Sequence, residues 1–195
     1  MTTNCRSLLR KPLGKLPAGG GWRAHGRGSD AHRASKRVAA RGGHTRIGYD
    51  YVHSSVDDHS RLAYSEILPD EKATSAVAFW TRAQAYFTAH DVTVQRVLTD
   101  NGGCYRSRDF GALLAGAGIK HKRTRPYRPQ TNGKVERFNR TLLAEWAYVR
   151  TYTSGVSRAR SLRTWLHRYN HHRCHTALSG QPPVSRVTNV PGFYT

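Results

Sequence analysis

The chain has 195 residues, 37% of them hydrophobic, and it carries 32 Lys and Arg against 12 Asp and Glu, a formal charge of +20. Such an excess attracts polyanions, with nucleic acid first among them. Membrane surfaces are the rival, but no uninterrupted apolar run approaches the roughly 18 residues of a spanning helix, so no membrane partner and one packed domain are expected.

Residues 1–48 hold eleven Lys and Arg and one acid, Asp30, with much Gly and Ser and little apolar content. This composition predicts a basic, solvated, disordered segment over 1–42. An Arg-rich start also suits an organelle transit peptide, but Pro12, Pro17 and the run Gly19–Gly21 would break the amphipathic helix it needs. From residue 43 to 187 the pattern is that of a folded domain, and 188–195 reads as a tail. "IGYDYVHSSVDDHSRLAYSEIL", 47–68, is two β-rich runs about the turn "DDHS", which predicts a hairpin. Ala76, Phe79, Trp80, Ala83 and Phe87 recur at helical spacing. "VTVQRVLTD", 92–100, predicts a strand with Val92, Val94 and Leu98 on one face, ended at Asp100 by Asn101-Gly102-Gly103. A short helix over 107–118 and a short strand over 119–125 follow. After the turn-rich "PYRPQTNGK", 126–134, a helix carries Val135, Phe138, Leu142, Trp146 and Val149 on one stripe. A last helix groups Leu162, Trp165, Leu166 and Tyr169. Strands first, then helix and strand in alternation, predict an α/β domain with a mixed sheet flanked by helices.

Cys5, Cys104 and Cys174 are too sparse for a disulfide framework and fit a reducing cytosol. "HHRCH", 171–175, has zinc-ligand residue types but no second ligand pair at finger-like spacing, so a polar segment after a helix is the simpler reading. The pair that carries chemistry is Asp100, at a strand end, and Glu136, at a helix start, with 35 residues between them. Two carboxylates suit a hard divalent cation, and a divalent ion beside a phosphodiester supports phosphoryl transfer. Residues 120–140 hold eight Lys and Arg around the single acid Glu136. Lys120, Lys122, Arg123, Arg125, Lys134, Arg137 and Arg140 are the expected phosphate contacts, although an acid in a basic run also forms ordinary helix-surface pairs.

"LTDNGGCY" and "RPYRPQTNGKVERFNRTL", with "VDDHSRLAY" and "YNHHRCHTAL" in the same order, resemble the catalytic core of insertion-sequence DDE transposases, the branch related to retroviral integrases. The resemblance covers residues 47–187. It implies a ribonuclease-H-like fold, two Mg²⁺ (or Mn²⁺) ions, DNA as partner, self-association on DNA, a cytoplasmic, nucleoid-associated location and no small-molecule cofactor. It makes Asp100 the second acid and Glu136 the third, and leaves the acidic turn Asp57-Asp58 without a metal role. "RKPLGKLPAGGGWR", 10–23, resembles the stretch after the first acid, and counting back puts that acid's slot at Leu9. Asp50 is a poor substitute, because alternate residues of a strand face opposite sides. The resemblance therefore implies a truncated or decayed transposase, impaired in strand cleavage and transfer. The alternatives are an inactive nucleic-acid-binding remnant of the same fold, a ribonuclease-H-type nuclease, and a basic RNA- or ribosome-associated protein.

Overall fold

The computed structural model describes residues 5–10, 16–18, 48–124, 133–150, 152 and 154–187. Six strands form one mixed sheet: β1 (Cys5–Arg10), β2 (Leu16–Ala18), β3 (Gly48–Asp57), β4 (Ala63–Leu68), β5 (Val94–Thr99) and β6 (Lys120–Arg123). β1 lies in the interior of the sheet. It pairs antiparallel with β3, Ser7 opposite Asp57 through Arg10 opposite Ser54. On its other side it pairs parallel with β5, Leu8 opposite Leu98 and Leu9 opposite Thr99. β6 continues the parallel set beyond β5, β4 closes the hairpin with β3, and β2 pairs with Gly48–Asp50 of β3. Among the described residues four helices cover the sheet: α1 (Ala73–Thr88), α2 (Arg108–Gly116), α3 (Gly133–Leu142) and α4 (Gly155–His171).

β1 and β2 fall inside the 1–42 segment that composition marks as a disordered remnant. Their pairing corrects that expectation for Cys5–Arg10 and Leu16–Ala18. A six-residue strand containing two arginines has too little periodicity to be seen, and its pairing comes from residues 44 to 90 positions away.

The sheet separates two cores. Phe79, Trp80, Phe87, Val97, Phe110 and Leu114 pack on the α1–α2 side. Val56, Leu98, Val135, Phe138, Trp146 and Trp165 pack on the α3–α4 side. Strand alternation accounts for the division. Val97 and Leu98 are both buried but belong to opposite cores. The expected single face of Val92, Val94 and Leu98 is thus corrected: Val92 shares the core of Val97, Val94 packs against that core, and Leu98 faces away from it. Val149, placed on the α3 stripe by periodicity, is 62% exposed. The helical path changes pitch at a π turn over Leu143–Ala147 and the stripe drifts off the core. No helix among the described residues is long and apolar enough to cross a membrane.

The hairpin turn is held by Asp57. Its fully buried carboxylate accepts from Ser60 N–H (2.8 Å) and Ser60 Oγ (2.6 Å), while Arg61 takes a positive φ of 68°. Four residues earlier on β3, His53, also fully buried, packs at 5.4 Å on Phe79 and donates from Nε2 to the Asp70 carbonyl at 3.1 Å. Its Nδ1 has no partner. Burial pushes the imidazole below its ordinary value of 6.5, against the raising effect of the Asp70 bond. The unfolded chain takes up this proton first, so acid favours unfolding. The stability held by neutral His53 is complete above about pH 6.5 and is lost as pH falls through the folded value. Thermal unfolding followed by circular dichroism should therefore show a melting temperature that drops as pH is lowered through this range. The drop should be smaller in His53→Gln, and an unchanged pH dependence in that variant would contradict the assignment.

Candidate functional site

Asp100 follows the last residue of β5, and its loop is tightly tied. Gly102 N–H donates to Asp100 Oδ1 at 2.8 Å. Asn101 Nδ2 donates to the Thr124 carbonyl at 3.0 Å, and Thr124 N–H donates to the Thr99 carbonyl at 2.9 Å, which fastens the loop to the end of β6. Thr99 Oγ1 lies 2.9 Å from His121 Nε2 on the α2 side, where burial and Arg123 lower the His121 pKa. The next turn, Gly103–Arg106, buries Cys104 and Tyr105. Leu98 faces α3, so the two-residue repeat of the strand continues that row to position 100.

Glu136 stands in the first turn of α3, half-buried between the buried Val135 and Phe138. The start of this helix is anchored to the hairpin turn. Lys134 Nζ lies 2.6 Å from Asp58 Oδ1 and 3.0 Å from the Asp58 carbonyl, and Arg61 also bonds that carbonyl. One acid of the turn is therefore spent on the turn itself and the other on Lys134. Arg125 and the loop 125–132 lie outside the described residues.

Leu9 is in a formed strand, level with Thr99 and with Ser55. Thr99 belongs to the α1–α2 face, as does Ser55, which alternates with Val56 of the α3–α4 core. The neighbours of Leu8, namely Val56 and Leu98, belong to the α3–α4 face, the row that leads to Asp100.

The basic residues define a groove of about 970 Å³ between the β5–β6 edge, α3, the hairpin turn and the segment after α4. Lys122, Arg123, Lys134 and Arg137 line it, joined by Arg61, Arg96 and Arg173. Asp58 is the one acid among its described lining residues. Arg173 is held by Glu145 (Nη2 to Oε1, 2.8 Å). Arg61, Arg96, Lys122, Arg123 and Arg137 have no carboxylate partner among the described residues. Lys120 and Arg140 are exposed but stand outside the groove, and so do Asp100 and Glu136. Sequence reasoning missed Arg61, Arg96 and Arg173 because none sits in a basic run. The available signal was Arg96, a polar residue two positions before Leu98 in an otherwise apolar strand row.

Among the described residues no three of His, Cys, Asp and Glu are close enough to hold a metal ion. Asp100 and Glu136 are nonetheless hard oxygen donors of the kind Mg²⁺ prefers, so the donor chemistry fits although the number is two.

Sequence profiles of the Integrase core domain match residues 36–129 and 117–183. The Pol polyprotein of transposon TNT 1-94 from Nicotiana tabacum is 46% identical over 99 residues, which is 49% of this chain and 7% of that protein. The Escherichia coli transposase InsD of the IS2 insertion element is 30% identical over 86 residues, 44% of this chain and 29% of that protein. The chain spans less than half the length of the curated relatives it matches. The catalytic core of HTLV-2 integrase, solved in complex with magnesium in a dimeric form, superposes with a TM-score of 0.58 at 13% identity, covering 96% of this chain and 100% of that one. With the strand order above, these matches establish that the chain belongs to the integrase-core family of insertion-sequence and retroviral type and has its ribonuclease-H-like fold.

Proposed function

We propose that the chain is a DNA-handling core for integration and transposition, with Asp100 and Glu136 as its metal-holding acids and with cleavage impaired for want of the first acid. The observation that carries the DNA reading is the groove: seven cations around about 970 Å³, five of them without an acid to neutralise them among the described residues. Phosphates entering there release counterions and replace water around guanidinium groups already held in place. The Gly102 N–H bond fixes Asp100 in its loop, and α3 presents Glu136 from its first turn. A divalent ion held by this pair would supply Lewis-acid polarisation of the phosphodiester. Self-association on DNA and action in the cytoplasm belong to the same proposal. A catalytically silent DNA-binding core is the second reading, favoured by Leu9 at the first-acid slot.

Duplex DNA binding measured by fluorescence anisotropy should weaken steeply from about 50 to about 200 mM salt. Lys122→Gln and Arg137→Gln should each lower the salt slope by roughly one. Asp58→Asn, which releases Lys134 from its 2.6 Å ion pair, should raise affinity. Binding indifferent to salt, or unaltered in all three variants, would remove the groove from the account.

Strand joining on a pre-cut oligonucleotide with Mg²⁺ or Mn²⁺ should be close to background for the unmodified chain, each lost ~1.4 kcal/mol of transition-state stabilisation being tenfold in rate. Motif spacing selects Leu9→Asp for rescue, whereas sheet register, one step beyond the Leu9–Thr99 pair, selects Arg10→Asp as level with Asp100. One of the two should recover metal-dependent joining. Mn²⁺ binding followed by water-proton relaxation should fall alike in Asp100→Asn and Glu136→Gln if the two acids share an ion. Robust joining by the unmodified chain, abolished by Glu136→Gln, would refute the impairment.

A further inference from the structure

On the side of the sheet edge away from β6, β4 pairs only with β3 among the described residues. Its outer backbone is partly occupied by a side chain. Asn170 of α4 accepts from Ala63 N–H at 2.9 Å and donates to the Ala63 carbonyl at 2.8 Å, the two bonds a neighbouring strand would make. Its amide is steadied by Tyr86 Oη at 3.0 Å. Alternation along an antiparallel strand sends the next outward groups from Ser65 and Ile67. There the side-chain substitute stops and a groove of about 480 Å³ opens between β4 and α4. From Ala63 to Ile67 the edge offers about 13 Å, the reach of four to five extended residues.

The walls of the groove have a definite chemistry. Leu162 and Leu166 of α4 provide an apolar floor, and Tyr64 and Tyr86 an aromatic one. Arg163 and His167, both exposed, and His90 and His171 line the rim. The one acid in the groove, Glu66, is already clamped by Arg82 (Nε to Oε1, 2.7 Å) and bonded by Tyr64. The rim thus holds one unneutralised cation, Arg163, beside three histidines, above a strand edge unfilled among the described residues.

We propose that β4 and α4 form a docking groove for an extended acidic segment of another protein, added as a strand next to β4. Main-chain bonds to Ser65 and Ile67 hold the segment. Its alternate side chains rest on Leu162 and Leu166, and its carboxylates meet Arg163 and the histidines. A second copy of this chain is the poorer occupant. Two-fold pairing through β4 would bring the Arg163 cations of the two copies to the same groove with no acid to offset them.

The test uses the 195-residue chain and a fluorescein-labelled nine-residue peptide alternating Glu and Val, acetylated and amidated at its ends. Anisotropy should show binding that weakens about tenfold or more when alternate peptide amides are N-methylated, which keeps the charge and removes strand pairing. Ser65→Pro removes an N–H that points away from β3, and Arg163→Glu reverses the rim; each should weaken binding by a comparable factor. Excess duplex DNA, which occupies the groove beside α3, should not displace the peptide. Amide exchange at Ser65 and Ile67 should slow on binding. Equal affinity for the N-methylated peptide, or displacement by DNA, would show mere charge attraction elsewhere on the basic surface and overturn the proposal. Light scattering that finds a dimer broken by Arg163→Glu or Ser65→Pro, with no peptide bound, would overturn it in favour of a second copy. If Ser65→Pro fails to fold by circular dichroism, the exposed Arg163→Glu and the N-methylated peptide still decide.

Discussion

The two-sided pairing of β1 is the constraint on which this molecule depends. The β3–β4 hairpin and the β5–β6 pair are each separately connected in sequence, and neither is bonded to the other except through Cys5–Arg10. A strand in this interior position satisfies backbone groups on both flanks, and unpaired, each such group would cost free energy in a buried sheet. It also sets the spacing between Val56 and Leu98, over which α3 lays Val135 and Phe138. The proposed first-acid slot lies on the strand that joins the halves. Losing an acid there removes a ligand without removing the scaffold, because backbone pairing does not depend on the identity of the side chain.

The distribution of charge follows from the same framework. A net +20 would disperse over a sphere if nothing gathered it. Here β5 and β6 run parallel, which sets Arg96 beside Lys120 and leaves Lys122 and Arg123 along the edge. α3 lies across from them with Arg137, and the turn of the hairpin brings Arg61. Acids are then rationed: Asp58 goes to Lys134, Glu145 to Arg173 and Glu66 to Arg82. Such partly exposed pairs contribute little to stability, and their main effect is to decide which cations remain unneutralised. Among the described residues the groove beside α3 keeps five of these, and the groove beside α4 keeps Arg163.

Neutral histidine, buried or half-buried, is a second consequence of packing against a basic protein. His53, His121 and His175 are lowered first by burial, and Arg123 and Arg173 add to the effect at the latter two. Each accepts or donates as a fixed polar group rather than as a cation, which adds no further positive charge to the interior.

The local elements were legible in the sequence because their causes are local. The turn "DDHS", the spacing of Phe79, Trp80 and Phe87, and the break after Asp100 each act within a few residues. The integrase-core family was legible too, since its motifs are short runs in a set order. Tertiary structure alone decided the rest. Cys5–Arg10 became a strand because β3 and β5 flank it, a cause far away in the chain. Val97 and Leu98 went to different cores because helices covered both faces of the sheet. Val149 left its stripe when the helix changed pitch. Arg61, Arg96 and Arg173 joined one groove from three distant segments, and Asn170 reached Ala63 across 107 positions. Periodicity records which side of an element is apolar. What stands opposite that side is set by long-range pairing and packing, and no window of neighbouring residues contains it.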